Sequence, residues 1–279
     1  MLQSYYAHPD RWLEYRHSRT VPWNITEFHL HNYFEIYFFI GGAVNYFVEK
    51  QVYPLKYGDL LLMNHHEIHK PAFRSDDVYE RIVIHFEPQL GKAFSAPDCD
   101  LLQPFLGRPK GAKNQINLTV SETSDLMRLF LKMERIAAEP SAAGNVLKLS
   151  CLIEILVLIN QAFIRPATAE AHPNVPAALI PILDYIDGHL DADLTLAALG
   201  RRFFMNPSNL SRLFKKEIGS NIHEFIIFKR ISQAKKLLGD GCSVTEACSR
   251  CGFNDYANFL RMFKRKVGVS PGRYRLGKA

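Results

Sequence analysis

Two groups of residues in this chain have the types and spacing to do chemistry. The first is His29, His31 and Glu35, followed by His69. Alternate residues of a strand face one side, so His29, His31 and Glu35 can all point into a small barrel, with Tyr37 beside them. Three imidazoles and a carboxylate form a ligand set suited to Zn, Fe, Mn or Ni. The same groups can instead hydrogen-bond a small ligand, or one another, with no metal, so a divalent ion is an option and no cofactor is required. A sugar fits this lining, because Trp23, Tyr33, Tyr37 and Tyr46 can stack on a ring while His and Glu bind hydroxyls. The candidate effector contacts are therefore Trp23, His29, His31, Glu35, Tyr37 and His69, and the candidate metal ligands are His29, His31, Glu35 and His69. His65, His66 and His85 read as ordinary loop or strand histidines.

The second group recurs. Asn209-Leu210-Ser211-Arg212-Leu213-Phe214-Lys215-Lys216 matches Asn258-Phe259-Leu260-Arg261-Met262-Phe263-Lys264-Arg265 at an offset of 49. Upstream, Leu196, Leu199, Gly200 and Phe203 match Val244, Ala247, Cys248 and Cys251 at an offset of 48, so one extra residue enters the second turn. Each unit reads as an amphipathic helix, a turn and a second, basic helix. Leu210, Leu213 and Phe214, like Phe259, Met262 and Phe263, have the i, i+3, i+4 spacing of a buried stripe. The opposite face carries Ser208, Ser211, Arg212 and Lys215 in one unit and Tyr256, Ala257, Leu260, Arg261 and Lys264 in the other, with Asn209 and Asn258 at the border. Arg and Asn can make bidentate contacts to base edges, and Lys suits phosphates. This is helix-turn-helix chemistry, in which the second helix enters the major groove of duplex DNA. A helix over residues 222–238, about 25 Å long, joins the units and could set the reading helices about one DNA turn apart. Cys248 and Cys251, with Cys242 nearby, have spacing that could suit a metal or redox site. Both align with buried positions of the first repeat and no fourth ligand lies close in sequence, so they read as small buried residues.

The elements that must position these groups follow from pattern. Residues 34–40, 44–48, 57–63 and 79–86 are aromatic and β-branched, and Gly41-Gly42 suits a tight turn. Leu126, Leu129, Phe130, Met133, Ile136 and Ala137 form a helical stripe with Ser121 or Thr123 as caps, and residues 145–163 form an apolar helix placed between the barrel and a further partner such as a second subunit. The apolar stretch over 149–159 is too short to span a bilayer, and the N-terminus lacks a signal peptide pattern. Three prolines between Arg165 and Pro176 mark a linker.

Charge divides at the same place. Of the net +6, residues 173–279 hold a surplus of eight positive charges, with 17 Lys and Arg against 9 Asp and Glu, and the remainder is slightly acidic. An anionic partner is therefore expected at one end only. The composition excludes a disordered or collagen-like chain, and five cysteines do not suggest a disulfide framework.

The run Ile231-Ser232-Gln233-Ala234-Lys235-Lys236-Leu237-Leu238, then Cys251-Gly252-Phe253-Asn254-Asp255, Phe259-Leu260-Arg261-Met262-Phe263-Lys264 and Gly268-Val269-Ser270-Pro271-Gly272-Arg273-Tyr274-Arg275 resembles the AraC/XylS family of transcription regulators. Gly200 and Cys248 stand where that family usually has Ala, and Cys251 where it has an aliphatic residue. The resemblance implies a DNA-binding regulator, most often an activator, with a recognition helix in each repeat. Over residues 20–90 the sequence also resembles a cupin-like sensor barrel, as AraC-type regulators commonly carry. His29, His31, Glu35 and Gly42 follow its first motif, and Gly58-Asp59 and His69 follow its second. Asn64, His66 and Phe73 depart from that second motif.

The expected fold is multidomain. Residues 1–118 form an arm and an all-β cupin-like barrel, and accessory helices over 119–165 dimerise or relay. A linker at 166–176 leads to an all-α domain over 177–279, with two helix-turn-helix units on a linker helix. The expected function is a cytoplasmic, non-enzymatic regulator that binds promoter DNA as a homodimer, answers to a small effector such as a sugar, contacts RNA polymerase if it activates, and has no membrane partner. The alternative is a metal-dependent cupin enzyme, for instance a dioxygenase or isomerase, fused to a DNA-binding domain.

Overall fold

The computed structural model describes residues 12–21, 28–29, 31–65, 67–138, 141–165 and 176–276. Seven strands come first: β1 (Leu13–Thr20), β2 (Phe34–Gly41), β3 (Val44–Val48), β4 (Gln51–Pro54), β5 (Leu60–Met63), β6 (His69–Phe73) and β7 (Tyr79–Phe86). Short helices α1 (Pro88–Ala93) and α2 (Gln103–Leu106) and strand β8 (Gln115–Ile116) lead to the long helices α3 (Val120–Ala138) and α4 (Ala142–Ile164). The rest is helical: α5 (Ile180–Gly188), α6 (Leu196–Arg202), α7 (Pro207–Ile218), α8 (Ile222–Gly239), α9 (Val244–Arg250), α10 (Tyr256–Val267) and α11 (Pro271–Arg275).

The strands pair antiparallel into two sheets, ordered β1-β7-β2-β5-β8 and β4-β3-β6. The turn from β2 to β3 needs Gly42, whose φ is 117° and where a Cβ would lie 3.1 Å from the Val78 carbonyl oxygen. Strand alternation then builds the layers. Phe34, Ile36 and Phe38, with Leu60, Leu62, Ile82 and Ile84, pack on Leu126, Phe130 and Met133 of α3 and on Leu152, Ile155 and Leu156 of α4. Tyr37, Phe39, Leu61 and Met63 face the other way, onto Val44, Tyr46, Val48 and Tyr53 of the smaller sheet. The far side of that smaller sheet is covered too. Phe47 and Val52, with Phe28 and Ile68, share one cluster with Ile182, Leu183, Leu210, Phe214, Phe225 and Phe228 of the helical region.

The helical region carries the repeat in its hydrogen bonds. Thr195 and Ser243 cap α6 and α9, and Asn206 and Asp255 cap α7 and α10, each side chain accepting backbone N–H bonds of the first turn. Gly219 and Gly268, at φ 73° and 85°, end the two basic helices. In each unit the turn between helices passes through the left-handed region, at Phe204 (φ 53°) and at Gly252 (φ 74°). A Cβ at Gly252 would sit 2.1 Å from the Leu190 carbonyl oxygen, where the second unit meets the first. Arg230 of α8 ties that junction by donating to the carbonyls of Leu190 (2.9 Å) and Ala192 (3.0 Å).

Some expectations needed correction. The cap of α3 is Thr119, not Ser121 or Thr123: Thr119 Oγ1 accepts the Glu122 N–H at 3.2 Å, and the Glu122 carboxylate accepts the Thr119 N–H at 2.7 Å. The apolar helix is longer than the stretch over 149–159, because Ala142 to Lys148 and Asn160 to Ile164 extend it until it is long and apolar enough to cross a membrane. One face of it, through Cys151, Leu152, Ile155, Leu156 and Ile159, is buried against the larger sheet. The joining helix runs one residue beyond the expected 238. Trp23, His66 and linker residues 166–175 lie outside the described residues.

An ionic clasp lies where the smaller sheet meets the helical region. Lys229 Nζ is 2.5 Å from Glu49 Oε2 and 2.8 Å from Asp187 Oδ1, with Lys229 5% and Glu49 3% exposed. Glu49 also accepts the Ile68 N–H at 2.8 Å and pairs with Lys110 at 3.0 Å. Burial alone would raise the Glu49 pKa, but the charges of Lys229 and Lys110, with the hydrogen bonds from Lys229 and Ile68, bring it down to about 2. A depressed carboxylate pKa contributes stability that is present above the unfolded value near 4.5 and lost as pH falls toward 2. Glu49→Gln should therefore destabilise the chain by about 3 kcal/mol near neutrality. In urea titrations at a series of pH values, that gap should close between pH 4.5 and pH 2. A gap that persists unchanged to the lowest pH would refute the assignment. At the junction of the two units, Gly252→Ala should cost about 2–4 kcal/mol, read as a lowered midpoint of thermal or urea unfolding. Gly239→Ala, where a Cβ meets nothing within 4 Å, should be neutral or stabilising by up to about 1 kcal/mol.

Candidate DNA interface and effector site

Helices α7 and α10 present the same surface at equivalent positions. Ser208, Asn209, Arg212 and Lys215 are exposed on the first, with Ser211 half-buried. Tyr256, Ala257, Arg261 and Lys264 are exposed on the second, with Asn258 and Leu260 half-buried. Leu260 packs against Phe259, Phe263 and their neighbours in the core of the second unit, so this position contributes more to packing than Ser211, its counterpart. One feature repeats that sequence spacing alone did not disclose. Arg212 Nη2 donates to Asn209 Oδ1 at 2.6 Å, and Arg261 Nη2 donates to Asn258 Oδ1 at 2.9 Å. Each guanidinium is thus held by an Asn one turn back, and its other N–H groups remain to donate elsewhere. Basic residues in the last turns, Lys215 and Lys216 of α7 and Lys264, Arg265 and Lys266 of α10, suit the negative helix ends. Cys248 and Cys251 are buried, and the Cys248 thiol donates to the Phe253 carbonyl at 3.5 Å, as expected for packing residues.

Within the barrel, Glu35 of β2 is the centre of a histidine cluster. His31 Nε2 lies 2.8 Å from Glu35 Oε2, His85 Nε2 2.7 Å and His69 Nε2 3.4 Å. Burial would raise the Glu35 pKa, but the charge of His69 and hydrogen bonds from His31, His69 and His85 hold its carboxyl well below the usual range. Burial lowers His29 to about 3 and His31 to about 4. His69 is also disfavoured by burial, yet the Glu35 carboxylate and its own hydrogen bonds carry it above its ordinary value.

His31, Glu35 and His69 meet with ligand atoms all within 4.8 Å of one another, but not as alternate residues of one strand: His29 and His31 precede β2, which begins at Phe34. His29 is bridged to His69 through the backbone, and its ring stacks on His69 with centroids 5.7 Å apart. Tyr37 lies deeper in the interior, its hydroxyl 2.7 Å from that of Tyr79 and its ring 4.4 Å from Tyr46. Reading His85 as an ordinary strand histidine needs correction. The antiparallel register of β2 on β7 sets Glu35 directly opposite His85, which brings a residue distant in sequence into the cluster. The only local signal for it was the inward alternation of β7. His65 stacks on Phe34 at 5.5 Å, apart from the cluster.

Comparison with known proteins agrees with a ligand-binding domain followed by a helix-turn-helix domain. The family model described as AraC-like ligand binding domain matches residues 11–157, and a helix-turn-helix domain model matches residues 199–277. The arabinose operon regulatory protein of Salmonella typhimurium is 33% identical over 45% of this chain and 44% of its own length. The HTH-type transcriptional activator Btr of Bacillus subtilis is 30% identical over 52% of this chain and 27% of its own length, so the chain spans less than half of either relative. An uncharacterized HTH-type transcriptional regulator of Bacillus subtilis, YfiF, is 27% identical over 90% of this chain and 79% of its own length. Among solved structures, the DNA-binding domain of AdpA in complex with a target DNA is 30% identical, covering 36% of this chain and 91% of that one at a TM-score of 0.35. With a ligand-binding barrel followed by two helix-turn-helix units, and with both family models matched, the chain belongs to the AraC family of DNA-binding transcription regulators.

Proposed function

We propose that the chain acts as a transcription activator that reads promoter DNA with α7 and α10 under the control of an effector held in the barrel, and that it does no enzyme chemistry. The observation that carries the DNA reading is the recurrence of an exposed, Asn-braced Arg at equivalent positions of the two helices. Residues 1–118 then serve as sensor, 119–165 as dimerisation segment, 166–176 as linker and 177–279 as reader. Activation, through contact with RNA polymerase, is supported by the name of the similar activator Btr. A homodimer is supported by apolar side chains that α3 and α4 leave exposed, Val120 and Leu131 on one and Val146, Leu147 and Ile164 on the other. Such a regulator works in the cytoplasm, where promoter DNA is. Control by an effector is supported by β6, which turns His69 toward Glu35 and the next residue, Lys70, onto the carbonyl of Gly219 at the end of α7 (2.6 Å). A sugar, the effector class suggested by the aromatic lining and by the similar arabinose regulator, draws less support from the interior, where Tyr37, Tyr46 and Tyr79 pack on or hydrogen-bond one another.

DNase I footprinting at physiological salt should reveal, for each chain, an asymmetric site of two successive major-groove segments about one DNA turn apart. Arg212→Ala and Arg261→Ala should each cost about 1–3 kcal/mol and relax base preference in one segment, whereas Lys215→Ala and Lys264→Ala should weaken binding evenly across sequences. Binding without sequence preference would sink the proposal.

A further inference from the structure

Phe204 is unfavourable to the fold on two counts. Its backbone sits at φ 53°, a left-handed conformation that a bulky side chain seldom adopts, and its ring is 98% exposed. The turn dictates that backbone: the Met205 N–H donates to the Gly200 carbonyl at 2.9 Å, and a Cβ on Gly200 would lie 2.6 Å from the Met205 carbonyl oxygen. The second unit meets the same demand at Gly252, with no side chain at all. Phe203 and Met205 pack on the core of the first unit, so the ring is turned out between two residues that are turned in. Two other non-glycine residues among those described have positive φ. Glu49 is held there by the ionic clasp, and Lys113 is exposed with a flexible side chain.

The charges around the ring identify its partner. Arg201 and Arg202 are exposed in the last turn of α6, just before it, and Asn206, two residues after it, caps α7. From Arg201 to Lys216 there are five Lys and Arg and no Asp or Glu. An apolar ring within such a strip suits a polyanion that has apolar groups of its own. Duplex DNA is one, with thymine methyls in the major groove and deoxyribose along its lip. The N-terminal end of a recognition helix is the end that reaches base edges, so the turn carrying Phe204 travels in with Ser208 and Asn209. We propose that the Phe204 ring packs on apolar groups of the DNA, thymine methyl or deoxyribose, at the edge of the segment read by α7. The contact rests on the reading of promoter DNA by α7 and α10. It makes the two segments of one site unequal, because the second unit has glycine at the corresponding turn.

The test uses the full chain on a footprinted site, in which the segment of α7 is the one whose protection Arg212→Ala weakens. Phe204→Gly and Phe204→Asn, residues that tolerate positive φ, should unfold at the same temperature as the wild type or a higher one. Both should nevertheless bind the site at least about fivefold more weakly, with an unchanged slope of affinity against salt because no phosphate contact is lost. Phe204→Tyr keeps the ring and should stay within about twofold of the wild type. Deoxyuridine placed at each thymine of the segment in turn separates the two sources. A wild-type loss at one thymine that Phe204→Gly no longer shows supports the methyl contact, and tolerance at every thymine beside the fivefold loss supports deoxyribose. Unchanged affinity in Phe204→Gly overturns the contact, as does weaker binding accompanied by a lower unfolding temperature. Unchanged affinity with lost activation of transcription assigns the ring to RNA polymerase and overturns it too. A wild-type chain with no preferred site refutes the reading by α7 and α10, and this contact with it.

Discussion

The arrangement of the molecule depends on one buried ammonium. Lys229, on the helix that joins the two DNA-reading units, sits between Glu49 of the barrel and Asp187 of α5. Charges taken out of water are tolerated only when closely paired, so few alignments of barrel and helical region satisfy all three groups. Apolar contact supplies the area for docking, with Phe28 centred 5.5 and 5.4 Å from Phe225 and Phe228. Apolar surfaces tolerate sliding, whereas paired charges with short contacts do not. Lys50, 2.5 Å from Asp184 and 3.2 Å from Asp187, and Lys235, 2.9 Å from Asn32, pin the same seam at further points.

The smaller sheet gives this docking its significance. Both its faces are occupied, one by the barrel interior and one by the reading domain, so period-two alternation assigns neighbouring residues to different tasks. On β6, His69 belongs to the histidine cluster, Lys70 holds the carbonyl that ends α7, and Ala72 lies where a Cβ on Gly219 would come within 2.6 Å. His69 and the residues that touch the end of α7 are thus neighbours on one strand, with no loop between them.

What sequence made legible follows the range of the interactions concerned. The helix-turn-helix repeat and the stripe of its second helices are set within a few residues and were readable. So were His31 and Glu35, four residues apart. His85 was not, because it meets Glu35 through a register between strands about 50 residues apart, which no local spacing encodes. The Glu49–Lys229 pair, 180 residues apart, was hidden for the same reason. β1 and β6 were missed for a different one: Leu13–Thr20 is mostly polar, and β6 contains Pro71, tolerated because β6 is an edge strand.

The left-handed turns of the two units differ in a way that limits how the protein can be built. Gly252 fits against the Leu190 carbonyl because it has no side chain, and there the second unit seats on the first. Its counterpart Phe204 is 98% exposed, with a bulky ring at the position where a preceding unit would have to seat. The two equivalent turns are therefore not interchangeable: one is a buried seat between the units, and the other carries an exposed ring.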